Sequence, residues 1–248
     1  YIKGKETTAL DMTTLTNAGN ISAGGYDYGI YADKTNVLNT GIITVGKDNI
    51  GIYGLNSKFK NSGNIMVHEL TGLQNIGIYT KSSGTSDYFG VENTGTINVE
   101  GQKSIGIYAL AEAGNTGSVK MSSGSIFVKS ANPTSTTNIP LGVYVKGDNT
   151  NVSSTSSTTT VGENAVGVYL DGRSTLGTNA ENYVGSYNLS SANNKLGVGA
   201  YLKGGAQAQS GTITIKSTIS QGTGTAGVIR PIGLLYAKNL DPAGLVNG

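Results

Sequence analysis

Apolar residues return along this chain in two alternating phrases. The first is apolar, Gly, apolar, Tyr. It reads Tyr28-Gly29-Ile30-Tyr31, Ile50-Gly51-Ile52-Tyr53, Ile76-Gly77-Ile78-Tyr79, Ile105-Gly106-Ile107-Tyr108, Leu141-Gly142-Val143-Tyr144 and Val166-Gly167-Val168-Tyr169. Looser copies stand at Leu196-Gly197-Val198-Gly199 and Ile232-Gly233-Leu234-Leu235, and the glycines lie 22, 26, 29, 36, 25, 30 and 36 residues apart. The second phrase is Asn-x-Gly followed by apolar residues at +2 and +4, as in Asn39-Thr40-Gly41-Ile42-Ile43-Thr44-Val45 and Asn61-Ser62-Gly63-Asn64-Ile65-Met66-Val67. Alternation with period two marks a half-buried strand. Applied to the first phrase, the same rule turns Ile50 and Ile52 inward and Gly51 and Tyr53 outward. It predicts a column of outward tyrosines, because the reverse packing would bury a hydroxyl in every coil.

A third apolar position, Leu15, Val37, Phe59 and Val91, falls four residues before the glycine of the Asn phrase. Each repeat therefore has three inward-facing stretches separated by turns. Repetition at this period signals a solenoid. A propeller blade needs about 40–50 residues and four strands, which these short, variable intervals do not provide. The expected architecture is all-β: a three-sided, right-handed parallel β-helix of about eight coils. At roughly 4.8 Å per coil it would be about 40 Å long. One coil cannot bury enough apolar surface to offset the entropy of ordering it, so neighbours must supply hydrogen bonds above and below. Asn17, Asn39, Asn61 and Asn93 are expected to hydrogen-bond along the stack, and the following glycines to supply positive φ.

Residues 1–248 read as one β-helical segment, with regular coils over 13–128 and irregular coils carrying longer insertions over 129–248. Insertions are expected at Lys81–Gly90, Lys129–Ile139, Lys146–Thr160, Asp171–Tyr183, Lys203–Gln209 and Lys216–Arg230. The run from Ser153 to Thr160 is either a flexible loop or an unmarked strand. Neither end carries a polar cap, so a longer rod is expected.

Composition narrows the function. Glycine makes up 38 of 248 residues and charged residues only 13%, yet apolar residues reach 37% and net charge is +2. Disorder requires low hydrophobicity and high net charge, so a folded repeat is the better reading. Lysines are scattered and arginine occurs only at Arg173 and Arg230, which is not a nucleic-acid footprint. No apolar run is long enough for a membrane-spanning helix, and the first residues lack a signal peptide's apolar stretch. There is no cysteine, hence no disulfide or thiolate metal site.

Candidate chemistry is sparse. Insertions in a solenoid project from one edge and often bind. Asp87, Tyr88 and Phe89 form the most promising loop tip, able to stack on a sugar or enter a partner's pocket, unless Phe89 folds back over the coil edge. Arg173 and Tyr183 share another insertion. His68, the single histidine, lies five residues after its glycine, and Glu100, Lys129 and Lys216 share that offset. In a straight stack His68, Glu100 and Lys129 would form an outward column on adjacent coils, either a surface acid–base set or a line of cross-strand charge pairs. No nucleophile triad, nucleotide loop or metal motif is found, so no catalytic residue, metal or cofactor is assigned.

Two stretches carry a family resemblance. Asn93-Thr94-Gly95-Thr96-Ile97-Asn98-Val99 followed by Ile105-Gly106-Ile107-Tyr108, and Asn39-Thr40-Gly41-Ile42-Ile43-Thr44-Val45 followed by Ile50-Gly51-Ile52-Tyr53, resemble the passenger repeats of large fusobacterial autotransporter adhesins. The resemblance is close from Asn17 to Ala109, looser to Tyr169 and weak beyond Ala180. It implies a type V secreted, surface-displayed stalk anchored in the outer membrane by a C-terminal barrel. The partners implied are a host-cell receptor protein, a glycan or another bacterium, with no cofactor. No binding residue carries over, because the repeats are scaffold. The expected function is thus a non-enzymatic adhesin segment. Its rivals are a spacer without its own ligand and a carbohydrate-active β-helix enzyme using the His68 column.

Overall fold

The computed structural model describes residues 2–3, 14–25, 27–69, 74–84, 88–130, 139–178, 180–192, 195–209, 211–219 and 232–237. These residues form strands joined by turns, with no helix among them. Tyr28–Asp33, Asn36–Asn39 and Ile42–Val45 make one coil. Ile50–Leu55, Lys58–Asn61 and Asn64–Glu69 make the next. Each strand pairs in parallel with its counterpart one coil away. The fold is therefore a parallel β-helix with three strands per coil, here called the tyrosine, middle and asparagine faces. One antiparallel contact, Ser191 opposite Leu196, interrupts the parallel pairing where the chain enters a late tyrosine strand.

The core is a set of ladders, one residue per coil. The asparagine face contributes Ile43, Ile65, Ile97 and Ile126 in register, and Val45, Val67, Val99 and Val128 beside them. All are at most 2% exposed. The middle face adds Val37, Phe59, Val91 and Val119, as the third apolar position requires. Volumes compensate: the Phe59 ring fills the space over Gly54 on the tyrosine face, and the Phe89 ring the space over Gly117, its paired neighbour on the same face. A side chain at either glycine would overpack the interior.

The tyrosine phrase departs from simple alternation. A Cβ at Gly51 would meet Val45 Cγ2 at 2.8 Å and Ile43 Cγ2 at 3.0 Å, so Gly51 faces inward. Ile52 also lies in the main core, whereas the first aliphatic position of the phrase packs outside it with the tyrosines, as Val166 does with Tyr169. Ile50 and Ile52 therefore do not share a face. The chain bends at the glycine because only there can the backbone approach the opposite sheet so closely.

The asparagine ladder forms as expected. Asn17 Nδ2 donates to Asn39 Oδ1 at 2.8 Å, Asn39 to Asn61 at 2.7 Å and Asn61 to Asn93 at 2.8 Å. The adjoining glycines serve a different purpose from the one expected. Gly41, Gly63 and Gly95 are not in the left-handed region; a Cβ on any of them would collide with the glycine carbonyl one coil away. Positive φ falls instead at other corners, on Lys34, Asn56, Lys47 and Asp48.

Two expected insertions are coil. Thr150–Val161 is a continuous strand, paired through Thr150–Ser154 with the middle face and through Thr158–Val161 with the asparagine face. The serine- and threonine-rich run is thus an unmarked strand. Within Asp171–Tyr183, Thr175 and Leu176 keep the middle-face register. The seventh tyrosine phrase is Val198-Gly199-Ala200-Tyr201, since Val166 pairs with Val198 and Tyr169 with Tyr201. That is two residues beyond the copy the sequence pattern selects.

Candidate functional site

The outer surface offers three strips. On the tyrosine face, Tyr31, Tyr53, Tyr79, Tyr108, Tyr144, Tyr169 and Tyr201 form one column with successive ring centroids 4.9–5.2 Å apart. The tyrosines point outward, as expected, but they do not stand free in water. Neighbouring rings and the outer aliphatic row cover much of each. Burial pushes the Tyr79 phenol up to about 12, the charges of Tyr53 and Tyr108 adding to it, and raises Tyr108 and Tyr144 as well. Their hydroxyls stay protonated at neutral pH. The column closes one face of the rod with rings in stacked, tilted and edge-on contact, and at the late end Tyr169 and Tyr201 are buried.

The middle face carries a shallow groove of about 490 Å³. It crosses the strands and so runs along the rod. Tyr88 lies in it, 38% exposed. The ring lies over Gly90: a Cβ there would stand 3.0 Å from the Tyr88 hydroxyl oxygen, and that hydroxyl bonds Ser118. Lys58 Nζ sits 5.7 Å from the ring centroid. Lys60, Glu92 and Lys120 follow one another on adjacent strands. Lys60 approaches Glu92 at 3.5 Å, and Ser122 Oγ donates to the other Glu92 carboxylate oxygen at 3.0 Å. Glu181 closes one end, accepting from Asn151 Nδ2 at 3.1 Å and Ser153 Oγ at 3.5 Å.

The asparagine face bears the histidine column. Register places His68, Glu100 and Lys129 side by side. His68 Nδ1 is 3.2 Å from Glu100 Oε2, and Lys129 Nζ is 3.9 Å from Oε1. All three are exposed on a flat strip, where such pairs contribute little. Lys216 does not join them. It pairs with Asn188, which pairs with Thr160, and Thr160 pairs with Phe127, two residues away from Lys129.

The five site residues drawn from the sequence separate. Tyr88 is at the surface and lines the groove. Phe89 is 0% exposed and Tyr183 only 2%; both are core residues, and neither can touch a ligand. Phe89 alternates with Tyr88 on one strand, so it turns inward, and Tyr183 takes the inward position paired with Ser154. Arg173 is exposed but clamps Asp148 with two hydrogen bonds of 3.0 and 2.7 Å, which holds the Asp148 carboxyl below its ordinary range. Asp87 lies outside the described residues. The sequence pattern missed Lys58, Lys120 and Glu181. The two lysines occupy outward strand positions legible from period two. Glu181 sits at a turn in which it and Thr178 hydrogen-bond each other, and Asn151 draws its carboxylate to the groove.

Among the described residues, no three His, Cys, Asp or Glu side chains gather to hold a metal ion. Among the described residues there is no helix long and apolar enough to cross a membrane, which says nothing of a β-barrel. Compared with family models, curated proteins and solved structures, the chain matches none of them.

Proposed function

We propose that this chain is a stalk segment of a surface-displayed, non-enzymatic adhesin, binding host cells or other bacteria through its lateral surface. The observation that carries the reading is the stack itself. Coil after coil is held in register by parallel main-chain pairing, with a tyrosine column along one face and an asparagine ladder in the early coils, giving a rod whose outer strips repeat along its length. Such a body suits display and extension, and its middle-face groove gives it a place to bind. The resemblance of Asn39–Tyr53 and Asn93–Tyr108 to autotransporter passenger repeats supports export to the cell surface. The His68 column favours the adhesive reading over an enzymatic one, because its three groups pair with one another on a flat strip rather than lining a cleft.

The test is binding of the fluorescently labelled chain to epithelial cells and to bacterial cells. Saturable binding displaced by unlabelled chain is the expected result. Absence of saturable binding to either would overturn the reading in favour of a spacer. Release of reducing ends from glycans by the purified chain, lost in Glu100→Gln, would overturn it in favour of an enzyme.

A further inference from the structure

The geometry points to the middle-face groove around Tyr88 as a binding site for an acidic saccharide. The inference rests on the adhesive reading for its biological use and supplies that reading with a ligand class.

Three features select this ligand. The first is the aromatic platform. Strand pairing runs Asn36, Lys58, Gly90, Ser118, Asn151 along one outward column, and Gly90 is its one missing side chain. Tyr88 lies over that gap, anchored by Ser118. Its ring lies beside the groove floor and offers a surface on which the C–H face of a pyranose can pack. Binding sites commonly combine one such aromatic surface with a few placed polar groups.

The second feature is the balance of charge. Glu92 is held by Lys60 and Ser122, and Glu181 by Asn151 and Ser153. Lys58 and Lys120 make no ion pair among the described residues. Lys58 rests over the Tyr88 ring, a weak contact for an exposed ammonium, and an arriving carboxylate or sulfate offers it a charge-assisted hydrogen bond instead. Asn151 and Ser153 are neutral, so Glu181 keeps its charge. Lys58, Lys60 and Lys120 against Glu92 and Glu181 leave the groove a net charge of +1, with Lys58 and Lys120 on either side of the platform.

The third feature separates a sugar from a nucleic acid. Glu92 and Glu181 present carboxylate oxygens, which accept hydrogen bonds and donate none. The hydroxyls on every unit of an oligosaccharide can donate to them, whereas the phosphates of a phosphodiester chain carry no donor. The groove crosses the paired strands from Thr14 to Ser118, about 20 Å at ~4.8 Å per strand. That length takes an oligosaccharide rather than a single sugar.

Calorimetric titration of the 248-residue chain tests the proposal. The probes are an oligosaccharide acidic through carboxylates alone, a sulfated one, a neutral one of similar length and a single-stranded oligonucleotide. The acidic probes are expected to bind at least tenfold more tightly than the neutral one, and less tightly as salt rises. The tighter of the two identifies the preferred anion. Lys120→Glu and Tyr88→Ala are each expected to lower affinity tenfold or more with an unchanged circular dichroism spectrum. Lys129→Glu, on another face, is expected to leave it unchanged. Equal binding of the neutral probe, tighter binding of the oligonucleotide, no binding of either acidic probe, or an equal loss in Lys129→Glu would each overturn the proposal. Cell binding that acidic saccharides do not displace would sink this site and leave the adhesive reading standing. Saccharide binding without cell binding would do the reverse.

Discussion

The coils before Lys129 and those after Ile139 share one backbone plan and fill it differently. In the earlier coils the inward column of the asparagine face is isoleucine, from Ile21 through Ile126. In the later coils the same column holds Thr159 and then Tyr187. Ser154, Ser157 and Thr159 are each at most 2% exposed there, as are Tyr183 and Tyr187. The two phenol oxygens lie 2.9 Å apart, and Tyr183 also bonds Ser157 and Thr159. The asparagine ladder stops at Asn93, beyond which Ser122 takes the equivalent turn position. The early half thus combines an apolar core with a polar ladder at its corner, and the late half moves polar bonds into the core itself. The cross-section of a parallel β-helix is fixed by main-chain pairing, so its filling can change provided volume and hydrogen bonds are both satisfied.

The largest effect is expected where aromatic volume and polar bonding coincide. Tyr187→Ala removes a fully buried ring, which costs about 3–5 kcal/mol for aromatic truncation in a core, and takes one partner from Tyr183. Chemical denaturation should show the later coils unfolding at much lower denaturant. Tyr187→Phe sharpens the point, because Tyr183 keeps Ser157 and Thr159; its loss should be well under half that of Tyr187→Ala. Equal losses would mean that the hydroxyl pair, not the ring, holds this region.

Asn61→Ala makes the matching cut in the early coils. Asn61 accepts from Asn39 and donates to Asn93, and its removal leaves both neighbours short of a bond in a buried corner. A loss of about 1–3 kcal/mol is expected, read from the same denaturation profile. A loss as large as that of Tyr187→Ala would show that the ladder, rather than the core, sets early-coil stability.

Legibility in the sequence follows this division. Where one residue type repeats at one position, period and register can be read directly. Ile43, Ile65 and Ile97 identify a column, as do Asn39, Asn61 and Asn93, and the pairing of His68 with Glu100 and Lys129 follows from counting. Where the filling changes, the signal is lost. Thr150–Val161 has strand geometry but serine and threonine at inward positions, so it resembles a loop. The seventh tyrosine phrase was displaced because Leu196-Gly197-Val198 imitates the motif two residues before the copy that pairs. The bend at Gly51 is invisible to a period-two rule, since it arises from contact with Ile43 and Val45 across the core. Tyr88 was legible as exposed, but its platform over Gly90 and the neighbouring lysines required the register between coils.

Alkaline pH tests the tyrosine column common to both halves. Tyr79 is raised from 10.0 to about 12 in the folded rod, chiefly by burial. The folded state therefore holds its proton where the unfolded chain has begun to release it. By linkage this contribution to stability is intact below pH 10 and is lost as pH rises from about 10 to about 12. Tyr187, fully buried, is also raised, chiefly by burial and then by the neighbouring Tyr183. Phenolate absorbance is expected to titrate above the range of free tyrosine and to merge with unfolding in the later coils first. Titration at the free value without loss of circular dichroism would contradict the packed column.

The smallest effect is expected on the asparagine face. Glu100→Gln removes the charge shared by His68 and Lys129, whose side chains are 55% and 67% exposed. Exposed pairs contribute about 0.2–1 kcal/mol, less as salt screens them. The denaturation midpoint should move little at low salt and not at all at high salt. Because the strand bonds at this position run through the backbone, pairing of Glu100 with its two neighbours survives the change. A loss comparable to that of Asn61→Ala would mean that this strip takes part in holding the coils in register, and the early half would then rest on two polar ladders instead of one.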